Sequence, residues 1–253
     1  MYTYIYIYGM GPSLIFIVPY RDREQQQIFF AKQMKTVLAD REPDSYKILY
    51  IHQVDTRKFN RGAMKNIGFL VVKSLYPDTY KDITLVFNDV DTMPYSTGFI
   101  NYDTKRGTIK HFYGFKYALG GIVSITGDDF ERINGFPNFW GWGYEDNALN
   151  ERALKHNVVI DRSQFYPILD KNILQFMDGF QRIMNRTEIT MYKSATNEGI
   201  DRITGLEYNI DDASGFVNVT KFDTQRDENL ATTRLNDMRD TLRKKPSMNL
   251  MFS

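Results

Sequence analysis

The sequence contains no cysteine, and its 253 residues include only two tryptophans and three histidines. Without cysteine, no disulfide can cross-link the fold and no thiolate can hold a metal, which is compatible with a reducing compartment. Long apolar runs are missing too. The run Leu14–Val18 is short, whereas a membrane span needs roughly 20 residues. Residues 2–8 have no positively charged region of the kind that signal peptides carry, so we expect a soluble or cytoplasmic protein.

An excess of charge of one sign is also absent. The 32 basic and 31 acidic residues leave a net charge of +1, which gives no electrostatic reason to expect a nucleic acid as partner. The hydrophobic share of 42% and the charged share of 25% are those of an ordinary globular protein. Because no Pro/Gly/Ser-rich linker and no repeat divides the chain, we predict a single domain over residues 1–253.

Apolar periodicity predicts alternating strands and helices in the first half of the chain. Expected strands are Leu14–Val18, Tyr46–Ile51 and Ile83–Phe87, and expected helices are Asp22–Asp40 and Ala63–Leu75. This alternation indicates an α/β fold with a mostly parallel central sheet flanked by helices. In such sheets ligands bind beyond the carboxyl ends of the strands, which is where Arg21–Arg23 and Asp89–Asp91 lie.

The second half has a less regular pattern. We expect a strand over Tyr117–Thr126 interrupted by Gly120-Gly121, a helix over Asp146–His156 and a short strand over Val158–Asp161. From Arg226 to Leu242 a thin apolar stripe on a polar background predicts a helix.

Asp89-Val90-Asp91 ends one of the predicted strands. Two carboxylates flanking one apolar residue project toward the same cleft while Val90 packs inward. Carboxylate oxygens suit Mg2+ or Mn2+, and a diphosphate bound to such an ion is a better leaving group. A turn that caps the end of the strand explains the same residues, and the spacing alone does not decide between the two interpretations.

Both tryptophans lie in one glycine-rich segment, Phe136–Asp146. Gly141 and Gly143 disfavour a rigid helix or strand, so Trp140 and Trp142 are expected to form a poor core and to belong to a mobile loop. Glu145 and Asp146 follow at once. A flat ring beside a carboxylate that could act as a base suits the binding of a sugar, although Asp146 could instead cap the helix that follows.

Three arginines and a phenylalanine form the third candidate group. Arg21 and Arg23 follow a predicted strand, and Phe59 and Arg61 precede a predicted helix. Guanidinium groups bind phosphate through two parallel hydrogen bonds, and a phenyl ring can stack on a nucleobase. Taken one by one, these arginines are equally well explained as solvated surface charges.

In their order along the chain these segments resemble the beta-1,4-galactosyltransferase family, which are inverting glycosyltransferases with a GT-A fold. The matching segments are Val18–Arg23, Phe59–Arg61, Phe87–Asp91, Gly120-Gly121 and Ile133–Asp146, with a weaker match over Asn197–Ile200 and Leu206–Tyr208. The resemblance covers roughly residues 14–220 and leaves 221–253 as a C-terminal helical extension. It implies a single GT-A domain.

The resemblance also implies a role for each matching residue. The UDP-sugar donor would be bound by Pro19, Arg21, Arg23, Phe59, Arg61, Asp89, Val90, Asp91, Lys110, Ala118, Gly121 and Trp142. Asp91 would bind Mn2+, with Mg2+ as the alternative ion. Trp142 would close over the donor, Glu145 would position sugar hydroxyls, and Asp146 would take the proton from the acceptor hydroxyl. One displacement then inverts the anomeric carbon.

The metal site departs from the family pattern. Members usually complete it with a methionine and a histidine three residues later, downstream of the Glu-Asp motif, and no histidine of this chain lies there. Gln175 and Asp178 have the required spacing, and they would make an all-oxygen site that is more tolerant of Mg2+. A metal held by Asp91 and the donor diphosphate alone is the alternative.

The donor pocket departs from the pattern as well. Ala118 stands where family galactosyltransferases carry a tyrosine that crowds the second carbon of the sugar. A small side chain there makes UDP-GalNAc as plausible a donor as UDP-Gal. The animal enzymes are anchored in the Golgi and disulfide-bonded, so a chain without cysteine points to a microbial or viral enzyme.

We therefore expect a metal-dependent inverting transferase that moves Gal or GalNAc from a UDP-sugar to a glycan or glycoconjugate hydroxyl. Alternatives are a glucosyl or xylosyl donor, or an inactive sugar-nucleotide or glycan-binding protein of the same fold.

Overall fold

The computed structural model describes residues 11–176, 181–185, 190, 192, 197–228 and 233–237. The strands are β1 Leu14–Tyr20, β2 Tyr46–Gln53, β3 Thr84–Asn88, β4 Thr92–Pro94, β5 Thr108–Gly114, β6 Ile122–Thr126, β7 Val159–Asp161, β8 Tyr166–Pro167, β9 Ile173–Gln175, β10 Gln181–Asn185, β11 Thr204–Asp211, β12 Phe216–Asp223 and β13 Thr233–Asp237. The helices are α1 Glu24–Val37, α2 Arg61–Leu75, α3 Gly127–Arg132 and α4 Glu145–Lys155, with short 3-10 turns at Pro43–Ser45 and Ile200–Arg202.

The main sheet is built around β1. Over the described residues this sheet has nine strands, in the order β11-β12-β2-β1-β3-β6-β5-β7, with β8 also paired to β5. Strands β12, β2, β1 and β3 run parallel to one another, and β6 lies antiparallel to β3. The predicted α/β fold with a mostly parallel central sheet is therefore confirmed. The carboxyl ends of β1, β2 and β3 share one edge, and this edge carries Arg21 and Asp89.

Helices cover both faces of the sheet. On one face α2 buries Ile67 and Val71 in a cluster with Ile17 and Ile51. Gly68 permits this close approach, because a Cβ at that position would lie 2.4 Å from Cγ2 of Ile17. On the other face the buried side of α1 packs on the sheet through Phe30, Met34 and Val37. Burial of each of these apolar side chains stabilises the fold by about 1.5–3 kcal/mol, so both helices are firmly anchored to the sheet.

Two expectations about elements need correction, and one small sheet was not predicted. The strand expected over Tyr117–Thr126 begins only at Ile122, because Gly121 has a left-handed backbone (φ +74°) that turns the chain. The helix expected over Arg226–Leu242 is wrong at 233–237, where β13 pairs with β10. The second sheet formed by β4 and β9 has no counterpart in the expected elements. In the described part of the chain, no helix combines the length and the apolar character that a membrane crossing requires.

Candidate active site

The N-terminus of α2 is tied to the glycine-rich segment 136–143. Asn60 caps the helix, since its Oδ1 accepts a hydrogen bond from the backbone N–H of Ala63 at 2.9 Å. Its Nδ2 donates to the carbonyl of Asn138 at 3.0 Å. The cap places Arg61 at the start of the helix and Lys65 one turn later, on the same side.

Arg61 joins two carboxylates that are far apart in sequence. It forms an ion pair with Asp89, beyond the end of β3, and its Nε lies 3.4 Å from Oε1 of Glu145, at the start of α4. Burial by itself would lower the pKa of Arg61, but the fields of Asp89, Asp146 and Glu145 raise it above its usual value. This guanidinium is therefore a permanent positive charge between the β3 and α4 carboxylates.

Lys65 supplies the second cation of the cluster. Its Nζ donates to Oδ1 of Asp146 at 2.7 Å, and only 1% of its side chain is exposed. A lysine is almost never this deeply buried unless it is paired. Lys65 is not among the residues predicted from the sequence; its position four residues after Arg61, in a buried stretch of α2, is the signal that could have revealed it.

Gly120 and Gly121 bring the two ends of the cluster together. The backbone N–H of Asp89 donates to the carbonyl of Gly121 at 3.0 Å, and the N–H of Leu119 donates to the carbonyl of Asp146 at 2.8 Å. The chain at 119–121 therefore connects the backbones of Asp89 and Asp146.

Glu145 is the most buried carboxylate of the group, with 2% of the residue exposed. Burial and the neighbouring Asp146 raise the pKa of Glu145 to about 7, although Arg61 and Lys65 oppose the shift. The backbone N–H of Gly143 donates to its Oε2 at 3.1 Å.

Asp146 does not cap α4. The capping residue is Tyr144, which has a left-handed backbone (φ 71°) and makes no side-chain capping bond, so Glu145 and Asp146 form the first turn of the helix. The capping interpretation of Asp146 is therefore wrong. Acidic side chains in the first turn are stabilised by the helix dipole. In its ion pair with Lys65, the Asp146 side chain remains 21% exposed.

Asp91 lies beside a short antiparallel pair. In the register of β4 and β9, Thr92 faces Gln175, and the N–H of Phe176 donates to the carbonyl of Asp91 at 2.8 Å. The hydroxyl of Tyr113 donates to Oε1 of Gln175 at 2.6 Å, so Tyr113 is a further neighbour that was not predicted from the sequence. Gln175 is thus brought next to Asp91.

These neighbours agree with an oxygen-ligand divalent ion. Burial and the charge of Asp89 raise the pKa of Asp91, which is the environment that a bound cation would relieve. Within the described ranges, no three His, Asp or Glu side chains converge as a metal site. Gln175 as a further ligand stays a prediction. Asp178 lies outside the described residues.

The turn interpretation of the Asp-x-Asp segment is supported by its hydrogen bonds, and metal binding by Asp91 stays a prediction. Val90 packs inward, with 6% exposed, while Asp89 and Asp91 remain on the accessible side. The amide of Asn88 also donates to the carbonyls of Asp89 and Thr92, at 2.8 Å each, which fixes the turn. The turn therefore holds the carboxylates in place.

The β1 end contributes arginines on the same edge. Pro19 lies in β1. Arg21 donates to the carbonyl of Arg57 at 2.6 Å, and its guanidinium carbon lies 5.2 Å from the centroid of the Phe59 ring. Arg23 is close enough to Asp91 for its charge to act on that carboxyl.

The two other residues predicted to bind the donor, Ala118 and Lys110, have different environments. Ala118 is buried, with 9% exposed, two residues before Gly120. Lys110 is not brought into the cluster, because its Nζ donates to the carbonyl of Asn101 at 3.2 Å.

The two tryptophans have different environments. Trp140 is 1% exposed, its ring stacks on Phe222 with 5.8 Å between centroids, and its Nε1 donates to the carbonyl of Arg226 at 3.0 Å. The expectation that both rings make a poor core is therefore wrong for Trp140. Trp142 is half-buried. Positive φ angles at Gly141 (92°) and Gly143 (109°) allow the chain to direct the two rings to different places.

The sheet order and this edge cluster define the class as a GT-A glycosyltransferase fold. A crystal structure of a mutant of Drosophila beta-1,4-galactosyltransferase 7 in complex with manganese, UDP-Gal and xylobiose superimposes with a TM-score of 0.62 at 22% identity. The superposition covers 82% of this chain and 93% of that one. Two family models also match, the "N-terminal region of glycosyl transferase group 7" at residues 12–101 and the "N-terminal domain of galactosyltransferase" at 107–173. The chain belongs to the beta-1,4-galactosyltransferase family.

Curated relatives extend beyond the matched region. Mouse beta-1,4-galactosyltransferase 4 is 32% identical over 157 residues, 58% of this chain and 44% of its own length. The Caenorhabditis elegans xylosylprotein 4-beta-galactosyltransferase is 31% identical over 180 residues, 67% of this chain and 60% of its own. The chain thus spans about half the length of the curated relatives it matches.

Proposed function

We propose that the chain is a metal-dependent, inverting galactosyltransferase that uses a UDP-sugar as donor and Asp146 as general base. One observation carries the proposal: Arg61 and Lys65, one turn apart on α2, gather Asp89, Glu145 and Asp146 into a single cluster. The carboxylates that the resemblance assigns to the donor and to the base therefore lie in one cluster. The Drosophila neighbour, whose structure contains UDP-Gal, manganese and xylobiose, supports the substrate class.

The donor would lie along the edge formed by β1 and β3. Arg21 and Arg23 would contact the diphosphate through their guanidinium groups, and the ring of Phe59 would stack on the uracil. Asp91, with Gln175 beside it, would hold a divalent ion, and Asp178 would complete the site. Such an ion supplies charge neutralisation to the departing diphosphate.

The chemical step is a single displacement. The proton of the acceptor hydroxyl moves to Asp146, and a lone pair of that oxygen forms the bond to the anomeric carbon. The bond from this carbon to the β-phosphate oxygen breaks and its electrons leave with UDP. Glu145, held by Arg61 and by the N–H of Gly143, positions sugar hydroxyls. The half-buried ring of Trp142 closes the cleft against water.

GalNAc is a second candidate for the transferred sugar, and Ala118 favours it. The methyl side chain at this buried position takes up less space than the tyrosine that the resemblance leads us to expect there. If space decides the donor, Ala118→Tyr should lower the use of UDP-GalNAc more than the use of UDP-Gal. Equal loss with both donors would remove this argument.

The test is the release of UDP from UDP-Gal, UDP-GalNAc, UDP-Glc and UDP-Xyl, with Mn2+ and a panel of sugar acceptors. We expect acceptor-dependent release from UDP-Gal or UDP-GalNAc. Asp146→Asn should lower the rate by about 10²–10⁴-fold, the usual contribution of a general base, while UDP binding persists. Equal rates for the wild type and Asp146→Asn would contradict the role of Asp146, and no transfer from any donor would contradict the proposed activity.

A further inference from the structure

We propose that Lys65 is a positioning residue for the base: its ammonium group holds Oδ1 of Asp146 and leaves Oδ2 to take the proton of the acceptor. This inference rests on the proposed function, because it assigns a task to a neighbour of the residue that the proposal makes the base.

The two oxygens of Asp146 have different surroundings. Oδ1 accepts the hydrogen bond from Nζ of Lys65 at 2.7 Å. Oδ2 lies against the backbone of Gly120, where a Cβ would approach it to 2.1 Å. The lysine is 1% exposed and the aspartate side chain 21%, so the cation approaches from inside the protein and part of the aspartate side chain remains exposed. An acceptor hydroxyl therefore meets a carboxylate with one oxygen already engaged.

Lys65 is itself held in place. Its Nζ lies 4.2 Å from the centroid of the Phe136 ring, a cation–π contact. The adjacent residue Asn66 fixes the backbone of Phe136 from both sides: its Nδ2 donates to the carbonyl at 2.7 Å, and its Oδ1 accepts from the N–H at 2.9 Å. The ammonium group is consequently confined between a ring and a carboxylate before any substrate binds.

The charges around Asp146 explain why such a partner is useful. Glu145 is adjacent in sequence, and Arg61 is drawn toward Asp89 and Glu145 by direct ion pairs. Without the ammonium group, Asp146 would face Glu145 with no ion pair of its own and would be free to rotate away from Gly120. Preorganised charge in a cleft closed to water contributes to the rate without reorganisation during the reaction.

The test compares Lys65→Met, which keeps much of the shape without the charge, with Lys65→Arg, which keeps the charge in a different geometry. Lys73→Met is the matched control, since Lys73 lies on the same helix and pairs at 2.5 Å with Glu131, outside the cluster. Initial rates are measured with UDP-Gal, Mn2+ and the best acceptor of the panel. We expect kcat to fall about 10²-fold in Lys65→Met, as for a misplaced catalytic group, with the KM for UDP-Gal within about threefold. Lys65→Arg should recover part of kcat, and Lys73→Met should match the wild type.

A second measurement separates positioning from a structural role. In an Asp146→Asn background, Lys65→Met should lower the residual rate by less than about threefold, because residues that act as one unit are not additive. Three results would overturn the inference: wild-type kcat in Lys65→Met, the full loss repeated in the Asp146→Asn background, or a loss confined to the KM for the donor. If Lys65→Met does not fold, Lys65→Arg decides the question. A lower kcat at an unchanged KM for the donor supports the inference. An unchanged kcat with a raised KM for the donor contradicts it. A wild type that transfers from no donor would instead refute the proposed function.

Discussion

The carboxylate of Asp146 packs directly on the backbone of Gly120, so closely that a methyl group at position 120 would lie 2.1 Å from Oδ2 and 2.5 Å from Cγ. Real Cβ atoms essentially never lie this close to another atom. The glycine is therefore required by the position of the carboxylate rather than by a turn, since the left-handed backbone belongs to the next residue, Gly121.

Gly120→Ala should consequently displace Asp146 and lower kcat by about 10²-fold, the effect of moving a catalytic group by roughly 1 Å. Steady-state kinetics with UDP-Gal checks this. The control is Gly205→Ala, because Gly205 has φ +56° and open space around an added Cβ. That change should lower the unfolding free energy by about 1 kcal/mol through backbone strain and leave kcat alone. Normal turnover in Gly120→Ala would show that the carboxylate can move without loss.

Glu145 should make the stability of the protein pH-dependent. Its pKa is raised by burial and by Asp146 from 4.5 to about 7, so between these values the folded state binds more protons than the unfolded state. The stabilisation from its protonated form is fully present below pH 4.5 and is lost as the pH rises through about 7.

Urea unfolding at pH 5, 6 and 7, with neither metal nor donor, measures this contribution. We expect the unfolding free energy of Glu145→Gln to fall less between pH 5 and pH 7 than that of the wild type, because the amide cannot titrate. Glu198, whose pKa burial also raises, is present in both proteins, so the difference between them isolates Glu145. Identical pH slopes would contradict the raised pKa.

The two tryptophans should separate stability from activity. Trp140→Ala removes a buried ring that stacks on Phe222, and should lower the unfolding free energy by about 3–5 kcal/mol. Trp142→Ala removes a half-buried ring and should cost about 1 kcal/mol or less, while the transfer rate falls. Chemical denaturation and donor kinetics on both variants check this, and each variant is the control of the other. A large stability loss in Trp142→Ala would place that ring in the core.

The metal site should depend on a residue beyond Asp91. Asp178→Ala should raise the Mn2+ concentration needed for half-maximal activity by about tenfold or more, since the loss of one ligand weakens an oxygen site. Gln175→Leu should act in the same direction, and Asp170→Ala, three residues before β9, is the control. Titration of Mn2+ against the initial rate distinguishes the possibilities. An unchanged midpoint in Asp178→Ala would leave Asp91 and the diphosphate as the whole site.

Local sequence patterns were enough to predict much of the frame. The continuous apolar stretches at β1, β2 and β3 indicate buried strands, because strands that are buried on both faces must be almost wholly apolar. The strand ends then follow, and with them the edge at which Arg21 and Asp89 lie. The cap on α2 is local as well, since Asn60 bonds a backbone group only three residues away.

Long-range contacts decided the parts that the patterns missed. Lys65 and Asp146 are 81 positions apart, and no periodicity within α2 indicates which carboxylate its ammonium group will meet. Trp140 is buried because Phe222 of β12 covers it, whereas Trp142, two residues later, has no such cover from β12 among the described contacts. The strand at 233–237 exists through its pairing with β10, against a polar sequence that is compatible with a helix.

Sequence alone therefore determined the family, the α/β frame and the order of the charged groups along the chain, because each of these is encoded in neighbouring residues. Only the tertiary structure decided which charges pair, which oxygen of Asp146 meets Lys65 and which tryptophan joins the core. Those outcomes depend on the packing of segments far apart in the chain, where an ångström of separation changes both the space and the electrostatic energy of a group.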